Sequence, residues 1–257
     1  MTHTHDTRTD SDLLDSMEQV LEDSPARQSR RALMAKAGGL VAAGTALAVP
    51  GVAQAAPSSR SSIASVLATF EAFGVTLLTE AVKRAPGTPS AQFADVVKAA
   101  NTTEFVHLQA LRGRGARPLT TKFWIPSAVL DGGAALFNAV AMQEEVEISA
   151  YLVGVTEATR NRDAKGARLY AEALGTEAEH RVLARFARDT IDGTKEVPNN
   201  RGFEAFKQKS ARSALRATEA LGVGFGEKSD APGAFFTFPG DPRKNGTGSP
   251  VATPRPS

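Results

Sequence analysis

The sequence contains no cysteine, which removes disulfides, thiolate metal sites, iron–sulfur clusters and cysteine nucleophiles together. Histidine is scarce, with 4 residues among 257, so any metal site must rest largely on carboxylates. No charge of one sign dominates: 30 Lys and Arg stand against 28 Asp and Glu, a formal net charge of +2. The basic residues are scattered, so the chain lacks the electrostatic footprint of a nucleic-acid binder. Aromatic residues make up only 6% and β-branched runs are few, whereas alanine is abundant, a composition that favours helix.

The N-terminal segment reads as an address. Arg30 and Arg31 form a twin-arginine pattern, a weakly apolar Ala/Gly-rich run extends from Ala37 to Val49, and Ala53-Gln54-Ala55 supplies small residues for cleavage after Ala55. The apolar run is shorter than the roughly 20 residues a spanning helix needs. Residues 1–55 are therefore expected to be a twin-arginine signal with a long leader, in which Leu13, Leu14, Met17 and Leu21 fall at helical spacing. The twin-arginine translocation machinery is the implied partner, and the implied location is periplasmic or extracellular. The route carries folded cargo, often with a metal or cofactor already inserted.

Four long helices are expected next, over about residues 61–84, 90–111, 127–159 and 163–190, punctuated by Pro86-Gly87, Gly113 with Gly115, and Asp192-Gly193. The first and third connections are short, which makes two antiparallel pairs. The second, about residues 112–126, is long and carries Pro118 and Phe123-Trp124. The expected architecture is an all-α four-helix bundle over residues 56–195, with a long crossover between helices two and three. A C-terminal extension follows over 196–240, with a fifth helix at about 203–221, and 241–257 are expected to lack ordered structure.

Beyond the signal only two histidines remain, and each has a glutamate three residues earlier: Glu104 before His107 and Glu177 before His180. On a helix this spacing puts carboxylate and imidazole on one face. Two such pairs, on helices two and four, call for one further glutamate from each of helices one and three. Helix one offers Glu71, on a face with Leu67, Val75 and Leu78, and Glu80, which reads as a surface residue paired to Arg84. Helix three offers Glu144, flanked at i±4 by Val140 and Ile148, and also Glu145 and Glu147; apolar flanks favour Glu71 and Glu144. Glu71 to Glu104 and Glu144 to Glu177 are both 33 residues apart, so the two halves read as pseudo-repeats. The candidate ligands are Glu71, Glu104, His107, Glu144, Glu177 and His180, around two iron ions or, alternatively, two manganese ions, since no soft ligand is present. Tyr151 and Tyr170 read either as groups near the metals or as core aromatics.

With Glu104 to Leu108, Glu144 through Ala150-Tyr151-Leu152, and Glu177 to Leu183, the sequence resembles the ferritin-like di-metal carboxylate proteins, closest to their exported bacterial and desiccation-related branch. The resemblance covers about residues 61–190. It implies a ferritin-like bundle whose metal pair reacts with O₂, peroxide or ferrous iron, as in ferrous iron oxidation or manganese-dependent peroxide disproportionation. At Glu147 the branch more often carries a small residue, which leaves the third-helix ligand open between Glu144 and Glu147. The competing expectation is a stress- or desiccation-associated structural protein that keeps the bundle without turnover. Oligomeric state is left open, with a homo-oligomer or storage cage among the alternatives.

Overall fold

The computed structural model describes residues 62–250; the expected signal, residues 1–55, lies outside the described residues. Four long helices dominate: α1 (Ile63–Arg84), α2 (Ala94–Gly113), α3 (Ala134–Arg160) and α4 (Ala164–Asp192). A short α5 (Ala211–Glu219) follows. Helix α1 starts where the Ser62 side chain accepts the Ser65 amide, and α4 where Asp163 accepts that of Gly166. Helix α4 stops at Gly193, whose φ of 75° lies in the left-handed region that closes helices.

Helices α1 and α2 run antiparallel: Thr79 meets Asn101, Gly74 lies against Glu104, and Glu71 reaches His107. Helices α3 and α4 do the same, with Asn138 near Arg188, Glu144 near His180, and Gly154 against the Tyr170 ring. Helix α1 is apolar nearly all round, as a central core helix must be. It is long and apolar enough to cross a bilayer, yet 78% of that stretch is buried inside the protein. Leu67, Phe70 and Leu78 of α1 join Leu108 of α2, Tyr151 of α3 and Leu169 of α4 in one core.

The expectation of an all-α chain is corrected by a small sheet. The long connection forms β1 (Lys122–Pro126), which pairs antiparallel with both β2 (Gly224–Phe225) and β3 (Gly233–Thr237), in the order β2-β1-β3. Phe123 and Ile125 point inward, and the Phe123 and Phe225 rings pack on Phe73 of α1. The Trp124 indole N–H donates to the Ala231 carbonyl at 2.9 Å.

Helix three begins later than expected, because Gly132 adopts a φ of 72° against Thr88 and separates the turn Ser127–Leu130 from α3. The fifth helix is shorter than expected, starting only at the Ser210 cap, whose hydroxyl accepts the Ser213 amide. Upstream of it the chain is held in irregular form by ion pairs: Glu204 with Arg181 of α4, and Arg201 and Lys207 with Glu145 of α3. The tail, expected to be unstructured from 241, is instead ordered to residue 250. Thr247 is buried, and Asn101 donates to its carbonyl at 3.0 Å and to Thr79 Oγ1 at 3.1 Å. Ser249 and Thr102 also exchange hydrogen bonds.

Asn101→Ala strands the Thr247 carbonyl away from water and is expected to cost about 1–3 kcal/mol, read by urea unfolding. A tail that merely rests on the surface would leave the midpoint unchanged.

Candidate metal centre

All six candidate ligands converge inside the four helices, and a seventh group joins them. Glu71 and Glu177 are fully buried, Glu104, Glu144 and Glu147 nearly so, and His180 is 7% exposed. Three overlapping sets bring ligand atoms to within 4.8 Å of one another: Glu104, Glu144, Glu177 and His180; Glu71, His107 and Glu177; and Glu71, Glu104, Glu147 and Glu177. Glu177 belongs to all three sets and Glu104 to two. This buried Glu/His group can hold a metal ion.

Each helix supplies its part through its period. On α2, Glu104 and His107 share the inward face, and on α4 Glu177 and His180 do the same. The Nδ1 atoms face the centre: that of His107 lies 2.7 Å from Glu177 Oε1 and 3.6 Å from Glu71 Oε2. His180 Nδ1 lies 2.9 Å from Glu104 Oε1, 3.0 Å from Glu177 Oε2 and 3.8 Å from Glu144 Oε1. Gly74 of α1 makes room for Glu104. A Cβ there would stand 2.7 Å from Glu104 Oε2, so only glycine lets α2 bring that carboxylate this deep.

Several of these close contacts are not hydrogen bonds. His107 Nδ1 and Glu177 Oε1 approach closely without completing one, His180 Nδ1 and Glu104 Oε1 do the same, and Glu71 Oε2, Glu144 Oε2 and Glu147 Oε2 are buried without a hydrogen-bond partner. Ligand atoms from four helices thus crowd together at the centre, with Glu177 Oε1 2.7 Å and Glu104 Oε1 2.9 Å from an imidazole Nδ1. Uncompensated buried carboxylates are costly, and a coordinated cation is one of the few ways to satisfy so many in one place.

Burial, with the charges of Glu177 and Glu104 added, pushes the Glu71 carboxyl well above its usual range. Burial likewise raises Glu144 and Glu147, each against neighbouring carboxylates. Burial alone would lower the imidazoles, but the carboxylates outweigh it: Glu177 and Glu71 raise His107, and Glu104 and Glu177 push His180 up to about 10. Burial would raise Glu177 as well, but His107 and His180 hold it well below the usual carboxylate range. Without a metal, this cluster thus takes up protons to supply the positive charge it wants.

The sequence favoured Glu144 over Glu147 on its apolar flanks and left the third-helix ligand open between them; the i±4 neighbours of Glu147 are Gln143 and Tyr151. Both are themselves buried, and both support the cluster. Gln143 Nε2 donates to Glu147 Oε1 at 2.9 Å, and the Tyr151 hydroxyl donates to Glu71 Oε1. The choice between Glu144 and Glu147 therefore falls away, since both reach the centre. Tyr170 is one ring further out, its centroid 6.2 Å from that of Tyr151. Glu80 stays outside the cluster and pairs with Lys83 and Arg84 on the surface, as its spacing indicated.

In comparisons with known proteins, no family model, no curated protein and no solved structure matches this chain.

Gly74→Ala should leave the chain folded, because alanine is the better helix former. Its methyl displaces Glu104, so affinity for Mn²⁺ should fall by about tenfold or more in calorimetric titration. Unchanged affinity would show that the position of Glu104 does not matter to ion binding.

Proposed function

We propose that this cluster holds two metal ions, iron or manganese, in a ferritin-like bundle, and that the protein reacts with O₂ or peroxide outside the cytoplasm. The observation that carries the reading is the convergence of five carboxylates and two imidazole Nδ1 atoms whose inward oxygens have no other partner. Glu71 with His107 and Glu144 with His180 fall in different sets of converging ligands; Glu177 belongs to both, and Glu71 and Glu104 meet again with Glu147 in the third. That division suits two cations bridged by carboxylates. The ligand set is hard to borderline, oxygen and imidazole nitrogen, which fits iron and manganese. The export reading rests on Arg30-Arg31 and Ala53-Gln54-Ala55.

When bound, such a metal pair supplies redox chemistry toward O₂ or peroxide. The chain's own residues set the conditions for it. Tyr151 holds Glu71 through its hydroxyl, and the same contact places a proton at the edge of the cluster. Gln143 fixes one oxygen of Glu147 and leaves the other facing inward. Phe73, Leu77 and Leu78 line the space beside Glu104, Glu144 and Glu147, and a carbon lining of this kind strengthens each charge interaction inside.

Proton and metal compete for these groups, and the sign of the competition is fixed. Glu71, Glu144 and Glu147 are raised in the folded chain, so in the absence of metal their stabilisation is lost as pH rises above the unfolded value of about 4.3. His180, raised to about 10, contributes stability that is full below its unfolded value of about 6.5 and is lost as pH climbs through its folded value. Glu177, lowered in the folded chain, keeps its full contribution above about pH 4.3 and loses it only as pH falls. Between pH 6 and 8 the metal-free chain therefore loses stability, and metal that displaces the protons restores it. The increase in Tm on adding Mn²⁺ is expected to be larger at pH 8 than at pH 6. An increase that is equal or smaller at pH 8 would contradict metal binding by the cluster.

A further inference from the structure

Leu78 of α1, Val97 and Ala100 of α2, Val140 of α3 and Leu183 of α4 line a cleft where all four long helices meet, and Glu144 and His180 complete its wall. Apart from those two residues its lining is entirely apolar. Its lips are open: Leu183 is 44% exposed and Val96 42%. The inner residues Val97 and Ala184 are buried. The cavity measures about 40 Å³, and a single water needs about 10–15 Å³ on the same scale. It therefore has room for a diatomic or triatomic molecule and not for a bulky organic substrate.

We infer that this cleft is the route and holding site by which O₂ reaches the Glu144–His180 side of the centre, an assignment that rests on the metal reading above. The walls decide the selectivity. A hydrated ferrous ion would have to shed water along carbon surfaces that offer no replacement ligand until Glu144. Peroxide would give up its hydrogen bonds for the same passage. O₂ carries almost no hydration to lose and partitions from water into apolar spaces. The carbon walls between the lips and Glu144 offer water no hydrogen-bond partner, so a non-polar gas displaces little bound water there. His107 does not line the cleft, which therefore leads to the Glu144–His180 side alone.

Xenon is the probe, because it reports apolar gas sites with no metal present. Crystals of the metal-free full chain are pressurised with xenon and compared with those of Ala100→Met, which fills the cleft, and Leu183→Asn, which makes its exposed lip polar without touching the buried core. The expected result is a xenon atom against Leu78, Val140 and Leu183, lost in Ala100→Met and weakened in Leu183→Asn. Iron-loaded Ala100→Met should also need more O₂ than wild type for half-maximal oxidation. Absence of xenon from the cleft in the wild type overturns the inference even if the protein binds metal. Xenon in the cleft of a protein that takes up no iron or manganese would leave a gas-sized cavity and overturn the metal reading, and with it the assignment to O₂.

Discussion

Everything in this molecule is arranged around the burial of five carboxylates and two imidazoles at the centre of a helical core. That burial is electrostatically unfavourable unless positive charge joins it. In the metal-free chain protons supply the charge, which is why three of the glutamates and both histidines hold their protons more tightly than usual. Glu177, between two imidazoles, is the exception and the hinge of the cluster: it faces both histidines and belongs to every set of converging ligands.

The surrounding packing makes that burial possible. Two antiparallel helix pairs turn a short local spacing, glutamate then histidine three residues on, into a constellation with groups drawn from four helices. Gly74 allows Glu104 in, Tyr151 secures Glu71, and Gln143 secures Glu147. The sheet closes one side of α1 through Phe123 and Phe225, and the tail closes another region through Thr247 and Asn101. These outer layers bring no ligand to the centre. They bury the helices that do.

The helices and the candidate ligands were legible in the sequence because both depend on local periodicity. Glu104-x-x-His107 and Glu177-x-x-His180 can be read directly, and the apolar flanks of Glu71 and Glu144 point inward at helical period. Glu147 was legible only as an alternative to Glu144, because its flanking Gln143 and Tyr151 look solvated until their own buried partners are known. The sheet was hidden for another reason. Phe123-Trp124-Ile125 pairs with strands that lie some hundred residues further along the chain, and no local pattern announces such a pairing. The segment before α5 has helical composition, but the pairs between Glu204 and Arg181 and between Lys207 and Glu145 hold it in irregular form. The tail looks featureless in composition, yet a few buried hydrogen bonds to α1 and α2 are enough to order it.

The central claim is that the cluster is a two-metal site, and the most direct test is elemental mass spectrometry of the protein purified from its native location without added metal, beside a Glu104→Ala/His180→Ala variant. The account predicts about two iron or manganese ions per chain, lost in the variant while its helical circular dichroism persists. A folded wild-type protein with little bound metal would contradict it and leave the bundle with a structural role.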